Sequence, residues 1–294
     1  MRNHSFAYSS ILFLIAAIWG FSFVAQRAGM EFIGPYLFNG IRFALGSLSL
    51  IPLYLYNRSN NKQEPSVVNP KESIIKKGLL LGFILFIAAS FQQIGMQYTT
   101  AANGGFITSL YVILVPIFSV FFKKKIQNAV WGGAVIAVIG MYFLSIQGEL
   151  KLSWGDTLVL ISAVFWASHV MLIGKYAPRG SIILLSIIQF GITAILSLLV
   201  ALFTEEIIWQ GIQDAAIPII YGGVFSVGIA YTLQIFAQKK VAPEQAAIIL
   251  SFESAFAMLG GWLLLSETLS FRSLLGAAFM LIGIIISQIK WRRL

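Results

Sequence analysis

Long apolar stretches alternate along the chain with short polar ones. A helix-length window finds ten apolar segments, at about 7–26, 37–56, 77–97, 103–122, 129–146, 155–174, 182–203, 217–237, 244–265 and 272–290. Most reach the roughly 17–25 residues that a helix needs to cross a hydrocarbon core of about 30 Å. They lack the polar alternation of membrane strands, which are about ten residues long. Runs such as 79–87 are apolar on every face, as in a helix surrounded by lipid or protein. The pattern predicts an all-α integral membrane protein with ten transmembrane helices. The first segment follows Arg2 as a signal-peptide core would. Its length of about twenty residues, with no small-x-small site before Gln26-Arg27, makes it a retained helix instead.

The basic residues test this segmentation. In alternate loops, one set holds Arg2, Arg58, Lys62, Lys71, Lys76, Lys77, Lys123, Lys124, Lys125, Lys175, Arg179, Lys239, Lys240, Lys290, Arg292 and Arg293. The other set holds only Arg27, Lys151 and Arg272, and Arg42 lies inside a segment. A split of 16 to 3 is a positive-inside signal, and one missed helix would scramble it. Both termini are expected on the cytoplasmic side of a bacterial-type inner membrane. The lysine run at 123–125 is then a topology anchor. Trp131, Trp154, Trp209 and Trp291 fall near helix ends, where interfacial aromatics belong. The loop 57–76, with Pro65 and Pro70, is expected to be a flexible cytoplasmic linker.

Composition agrees. Of 294 residues, 58% are hydrophobic and only 11% charged, too few to cover a soluble globule. The net charge of +9 follows the inside loops and meets anionic lipid. It does not form the basic, aromatic-laced stripe of a nucleic-acid binder. There is no cysteine, which excludes disulfides and thiolate chemistry, and only two histidines, His4 and His169, which argues against a metal centre. No cofactor is expected. The sequence carries no P-loop, no His-Glu-x-x-His, no Gly-x-Ser-x-Gly and no carboxylate cluster. No catalytic residue is assigned, and an integral-membrane enzyme, a channel or an accessory scaffold is the remote alternative.

The two halves, 7–146 and 155–290, repeat. Trp19 matches Trp166 and Arg42-Phe43 matches Gln189-Phe190, both at an offset of 147. Gln93 matches Gln234 and Ala101 matches Ala242 at 141, while Gly133 and Gly140 match Gly276 and Gly283 at 143. Five helices per half is an odd number, so the second half enters the membrane from the opposite side. An inverted-topology repeat of this kind belongs to alternating-access transporters.

Several motifs then come in family order. Ala17-Ile18-Trp19-Gly20-Phe21-Ser22-Phe23-Val24 opens the series, and Gly40-Ile41-Arg42-Phe43 follows. Next are Gln97-Tyr98-Thr99-Thr100-Ala101, Ile107-Thr108-Ser109 and Pro116. The second half adds Ala242-Pro243-Glu244-Gln245-Ala246-Ala247, Ser251-Phe252-Glu253-Ser254-Ala255-Phe256 and Ser266-Glu267-Thr268-Leu269. With them the sequence resembles the EamA family of the drug/metabolite transporter superfamily over about residues 8–289. The resemblance implies ten helices, cytoplasmic termini, and export or exchange of small metabolites such as amino acids, relatives carrying sugars, sugar phosphates and nucleotide sugars. Two departures stand out. The family's Glu-Pro in helix nine is Glu253-Ser254 here, and its acidic residue after helix four is replaced by the lysine run.

Ionisable groups in the bilayer core cost about 2.5–3.5 kcal/mol even on the lenient insertion scale, so they face a cavity or a partner. Arg42, about six residues into helix two, suits bidentate capture of a carboxylate or phosphate; structural pairing and snorkelling are its other readings. Glu253, near the middle of helix nine, is a candidate for binding an amine or carrying a coupling proton, or else a hydrogen-bonded structural acid. Gln93 and Gln234 are candidates for lining a cavity because they occupy matched positions. Trp19 and Trp166 suit stacking on an aromatic or cationic solute, or packing. His169 titrates near physiological pH when free, although a neutral structural histidine is the commoner reading. Pro116 is expected to bend helix four near the cavity. The function expected is a secondary transporter without ATP, exporting amino acids or related zwitterionic or aromatic metabolites, with protons as a candidate coupling ion. A sugar, sugar-phosphate or drug carrier of the same fold is the alternative. The expected partners are a small-molecule substrate and membrane lipid, not nucleic acid.

Overall fold

The computed structural model describes residues 2–59, 74–145, 153–177 and 181–287. Most of the 57–76 linker with Pro65 and Pro70 lies outside them, as do Lys62, Lys71, Lys151, Arg179, Lys290, Trp291, Arg292, Arg293 and the side chain of Arg2. Among the described residues the regular structure is all helical. The first half comprises α1 (Arg2–Gly29), α2 (Pro35–Ser59), α3 (Ile74–Gly95), α4 (Ala101–Thr108), α5 (Tyr111–Phe121) and α6 (Asn128–Ser145). The second begins with α7 (Trp154–Tyr176), α8 (Ile182–Thr204), α9 (Trp209–Asp214) and α10 (Ala216–Ile220). A π-helical stretch, Tyr221–Tyr231, then runs into α11 (Thr232–Gln238), followed by α12 (Pro243–Leu250), α13 (Glu253–Leu265) and α14 (Phe271–Ser287).

Eight of these helical segments are long and apolar enough to cross a membrane, with α4–α5, α10–α11 and α12–α13 each counting as one. Two shorter apolar helices are Asn128–Phe143 and Phe271–Ser287. The protein is a multi-pass membrane protein, with an apolar outer surface and an apolar core that also encloses polar side chains. Leu14, Leu48, Phe83, Ile195, Leu202 and Leu274 are exposed, whereas Asn39, Arg42, Gln93, His169, Gln189, Gln234 and Glu253 are buried. Apolar side chains outside and polar ones inside suit a solvent of hydrocarbon.

The two halves interlock. α2 packs on α8, α3 on α7 and α8, α1 on α13, α4 on α13, and α6 on α14. Between α6 and α14 the backbones nearly touch. A Cβ at Gly133 would lie 2.6 Å from the Gly283 carbonyl, and one at Gly140 would lie 2.6 Å from that of Gly276. The glycines repeated in the sequence thus meet each other across the halves, and any larger side chain would force the helices apart.

Three segments expected as single helices are interrupted. Between α4 and α5, and between α12 and α13, the chain tightens for one turn into i→i+3 bonding. In the first, Leu110 N–H donates to the Ile107 carbonyl (3.2 Å) and Val112 N–H to that of Ser109 (3.0 Å). In the second, Phe252 N–H donates to Ile249 (3.2 Å) and Ser254 N–H to Ser251 (3.1 Å). Pro116 does not make the first interruption, since it lies within α5 beyond it. The second has no proline at the break at all. The third change is the π-helical stretch. It carries Gly222 and Gly223, which sit against α2, where a Cβ on Gly223 would lie 2.7 Å from the Leu45 Cβ.

Candidate functional site

The two tightened turns face each other. Ser109 and Ser251 are the residues that end α4 and α12, and they are 142 residues apart. The Ser109 hydroxyl lies 3.1 Å from the Ser251 carbonyl and 3.4 Å from Glu253 Oε1. Tyr111, which opens α5, donates its hydroxyl to Glu253 Oε1 at 3.0 Å, and Glu253 opens α13, again 142 residues away. Corresponding residues of the two halves therefore touch at the middle of the molecule. Glu253 is held by two hydroxyls and not by a cation, since no ion pair reaches it among the described residues.

Around this point lies a cavity enclosing about 450 Å³ not filled by atoms, part of it at an open mouth. Its interior has room for about two or three waters and not for a metabolite, unless the walls move. Trp19, Arg42, Trp166, His169, Gln234 and Glu253 all line it. Gln93 does not. It lies behind the wall and donates to the Gln26 carbonyl at 3.2 Å, while its neighbour Gln92 lines the cavity and donates to Thr108 Oγ1 at 3.2 Å. Adjacent residues point about 100° apart on a helix, so a one-residue slip in matching the halves selects the wrong amide. Gln92, and not the expected Gln93, is the amide of this helix that lines the cavity.

Arg42 is only 2% exposed, so it does not snorkel. Its Nε donates to Asn39 Oδ1 at 2.9 Å, and Asn39 in turn donates to the Ala89 carbonyl at 3.0 Å. Its guanidinium stands over Phe43 at 4.9 Å and Phe38 at 5.6 Å. Among the described residues no carboxylate pairs with it, and its terminal nitrogens have no protein acceptor. Both charges of the cavity are thus oriented by neutral neighbours and not spent on each other.

Tyr231, at the end of the π-helical stretch, is the hub of the aromatic wall. Its ring lies 4.6 Å from Trp19, 5.8 Å from Phe190, 6.0 Å from Trp166, 6.1 Å from His169 and 6.3 Å from Phe43, centroid to centroid. Sequence reading missed it, because nothing local marks one tyrosine in an apolar segment. It missed Tyr111 as well, since offsets of 141, 143 and 147 do not single out the residue that matches Glu253. The Trp19 indole N–H donates to the Ser226 carbonyl of the π-helical stretch at 3.2 Å, and the Tyr221 hydroxyl returns a bond to the Ile18 carbonyl at 3.0 Å. His169 Nε2 lies 3.0 Å from Gln189 Oε1. Among the described residues no group of three or more metal-ligating side chains occurs.

Each end of the bundle carries its own contact between α4–α5 and α12–α13. At one end, Glu267 accepts from the N–H groups of Ala101 (2.9 Å) and Ala102 (3.3 Å), capping the start of α4. At the other, Glu244 at the start of α12 accepts from the Ser119 hydroxyl and lies 3.7 Å from Lys124 Nζ. Lys123 and Ser266, 143 residues apart, are the two non-glycine residues with positive φ among those described, at 58° and 55°. Lys124 and Glu267 follow them in equivalent places. The lysine run that replaces the family's acid thus meets an acid brought by the opposite helix.

Comparison with known proteins now places the chain. The model of the EamA-like transporter family matches residues 7–146 and again 153–288. The chain belongs to the EamA-like transporter family. An uncharacterized transporter of Archaeoglobus fulgidus is 30% identical over 280 residues, spanning 95% of this chain and 85% of the relative. The uncharacterized transporter YoaV of Bacillus subtilis is 24% identical, over 95% of this chain and 96% of its own. A crystal structure of a protein 17% identical aligns with a TM-score of 0.76 over 96% of each chain, which shows that the fold is shared.

Proposed function

We propose that this EamA-like protein is a secondary transporter that carries a small zwitterionic metabolite, such as an amino acid, by alternating access. One observation carries the reading. Arg42 and Glu253, opposite in charge and unpaired with each other, face a single cavity between the two halves. A guanidinium with free terminal nitrogens fits a carboxylate, and a carboxylate held by two hydroxyls fits an ammonium. The aromatic wall around Tyr231 supplies an apolar and cation-tolerant surface for the rest of the solute.

The two shorter helices, Asn128–Phe143 and Phe271–Ser287, complete ten crossings in this reading, arranged as two inverted five-helix repeats with both termini cytoplasmic. The matched glycines, the matched turns at Ser109 and Ser251, and the 16 to 3 split of basic residues support it. Transport requires the walls to part first on one side, then on the other. The Glu267 cap on α4 and the Glu244–Ser119–Lys124 cluster on α12 are the contacts to be broken in turn. Solute entering from the cytoplasmic side and leaving outward is the direction expected of an exporter. Glu253 is the carrier of a coupling proton where coupling exists, since its carboxyl group can bind and release one, whereas Gln in its place keeps an acceptor for Tyr111 but does not ionise.

The test is counterflow in proteoliposomes against a panel of amino acids, sugars, sugar phosphates and organic cations, with and without a pH gradient. Saturable exchange of a zwitterion, lost in Arg42→Gln and Glu253→Gln, is the expected result. Gradient dependence lost selectively in Glu253→Gln identifies the proton carrier. Exchange of a sugar phosphate or an organic cation, with no zwitterion carried, overturns the reading.

A further inference from the structure

The walls of the cavity differ in how fully their polar atoms are used. In the first half, Trp19 Nε1, Arg42 Nε, and the side-chain nitrogens of Gln92 and Gln93 all have protein acceptors. Gln26 and Gln93 leave their amide oxygens bare and Ser90 its hydroxyl, while the free terminal nitrogens of Arg42 are the charged donors assigned above to the carboxylate. In the second half the unpaired atoms are neutral and include donors as well as an acceptor. Trp166 Nε1, His169 Nδ1 and Gln189 Nε2 are closed to solvent and have no partner among the described residues, and Gln234 has none there for either its Nε2 or its Oε1. Trp166, His169 and Gln234 line the cavity, and Gln189 is bonded to His169 directly behind them. A buried polar atom without a partner costs about 1–3 kcal/mol. A fully packed structural cluster would not leave five such atoms on one face, two of them the opposite ends of a single amide.

We infer that this second-half face, where Trp166, His169 and Gln234 line the cavity, is a subsite for a neutral hydrogen-bonding side chain, so the substrate is a zwitterion with an amide, hydroxyl or ring N–H group, not an aliphatic one. The inference rests on the zwitterion reading above and deepens it. Arg42 and Glu253 take the two backbone charges, which leaves the side chain of the solute to meet Trp166, His169 and Gln234. A carboxamide offers a donor and an acceptor to the Gln234 amide, and an indole or phenol offers one edge atom while its ring meets Tyr231. None of these partners brings a fixed opposite charge, so a charged side chain gains no counter-ion there. A site built to hydrogen-bond a group rejects the analogue lacking it far more strongly, by about 10⁴–10⁵-fold in the sharpest enzymes, than an apolar pocket rejects a missing methylene, about 10–200-fold.

The test measures counterflow for isosteric pairs of amino acids, glutamine against methionine, threonine against valine, and tyrosine against phenylalanine. Wild-type protein, Gln234→Met and Trp166→Phe are compared, with a melting temperature for each variant to show that it is folded. The expected result is a preference of about tenfold or more for the polar member of at least one pair. In Gln234→Met that ratio falls toward one, flux of the polar member falling more than that of the apolar member, and Trp166→Phe, which removes the indole N–H with part of the ring, reduces it in part. Equal transport of both members by the wild type overturns the inference, as does a ratio that survives Gln234→Met. If zwitterions are carried in an Arg42- and Glu253-dependent way but without discrimination within pairs, the subsite fails and the transport reading stands. If no zwitterion is carried at all, both fail.

Discussion

Trp19 and Trp166 hold corresponding places in the two halves, yet they do different work. Trp19 gives its indole N–H to a carbonyl of the π-helical stretch, while Trp166 gives its own to nothing. The same contrast runs through the rest of the cavity. Arg42 in the first half corresponds to Gln189 in the second, so the halves supply one fixed positive charge, not two. Tyr111 corresponds to Glu253 and serves it as a donor. At the bundle ends, Glu267 caps a helix start directly, whereas Lys124 reaches a helix start through the acid of its partner. A repeat supplies a symmetric frame, and departures from symmetry turn that frame into a site. Glycine contacts and tightened turns are kept in both halves, because they set backbone geometry. On the proposed reading, the side chains that line the cavity have diverged because a zwitterion is not symmetric.

The largest expected effect comes from erasing the charge asymmetry. Arg42→Gln gives the first half the residue of the second and removes a bidentate partner. Charge-assisted hydrogen bonds contribute about 1.5–3 kcal/mol each, so two of them correspond to roughly a hundredfold or more at 1.4 kcal/mol per tenfold. Zwitterion counterflow in this variant is expected to fall by about that factor at low substrate concentration. Glu253→Gln keeps the Tyr111 contact and loses one charged contact, for an expected loss of about ten- to a hundredfold. Its flux should also become indifferent to a pH gradient if the wild type responds to one.

Breaking the symmetric frame should instead cost stability. Gly140→Leu pushes a side chain into the Gly276 carbonyl, and overpacking of this kind costs about 1–3 kcal/mol. A melting temperature lower by roughly 5 °C in detergent is expected, measured by following unfolding fluorescence. Lys124→Glu, which copies Glu267, sets two acids against each other at the start of α12. The pair it replaces is half exposed at the lysine, and exposed ion pairs contribute about 0–1 kcal/mol, so only a few-fold shift toward opening at that end is expected. The natural chain has no cysteine, so the rate at which a single introduced cysteine near Ser119 is labelled reads this opening without background. The smallest effect separates the tryptophans. Trp19→Phe should lower stability by about 1 kcal/mol through the lost bond to Ser226, whereas Trp166→Phe, which loses no bond and removes an unpaired N–H, should not lower the melting temperature by as much and should change transport.

Membrane insertion was legible in the sequence because its signal is long. Apolar runs, positive-inside charge and a repeat offset each span many residues, and local exceptions do not obscure them. The tightened turns were not legible. A change from i+4 to i+3 bonding over one turn leaves the apolar pattern intact, and the residues at the turns, Ser109-Leu110 and Ser251-Phe252, are unremarkable in a helix. Pro116 drew attention to the right segment for the wrong reason. Arg42 and Glu253 stood out because charge is costly in hydrocarbon. Tyr231 carries no such cost and stayed hidden until the π-helical stretch set it at the centre of the aromatic wall. Gln92 and Gln93 differ by a single residue, and repeat offsets that drift between 141 and 147 cannot choose between them.

The central claim is that Arg42 and Glu253 divide the two charges of one solute. The most direct measurement pairs deletions on the protein with deletions on the substrate, using as probes a transported amino acid, its decarboxylated amine and its deaminated acid. Inhibition of counterflow by each probe is measured in wild type, Arg42→Gln and Glu253→Gln. The account predicts that removing the carboxylate weakens binding strongly in the wild type and little in Arg42→Gln, and that removing the amine does the same with respect to Glu253→Gln. Equal penalties in wild type and both variants would mean that neither residue touches the solute and would contradict the account.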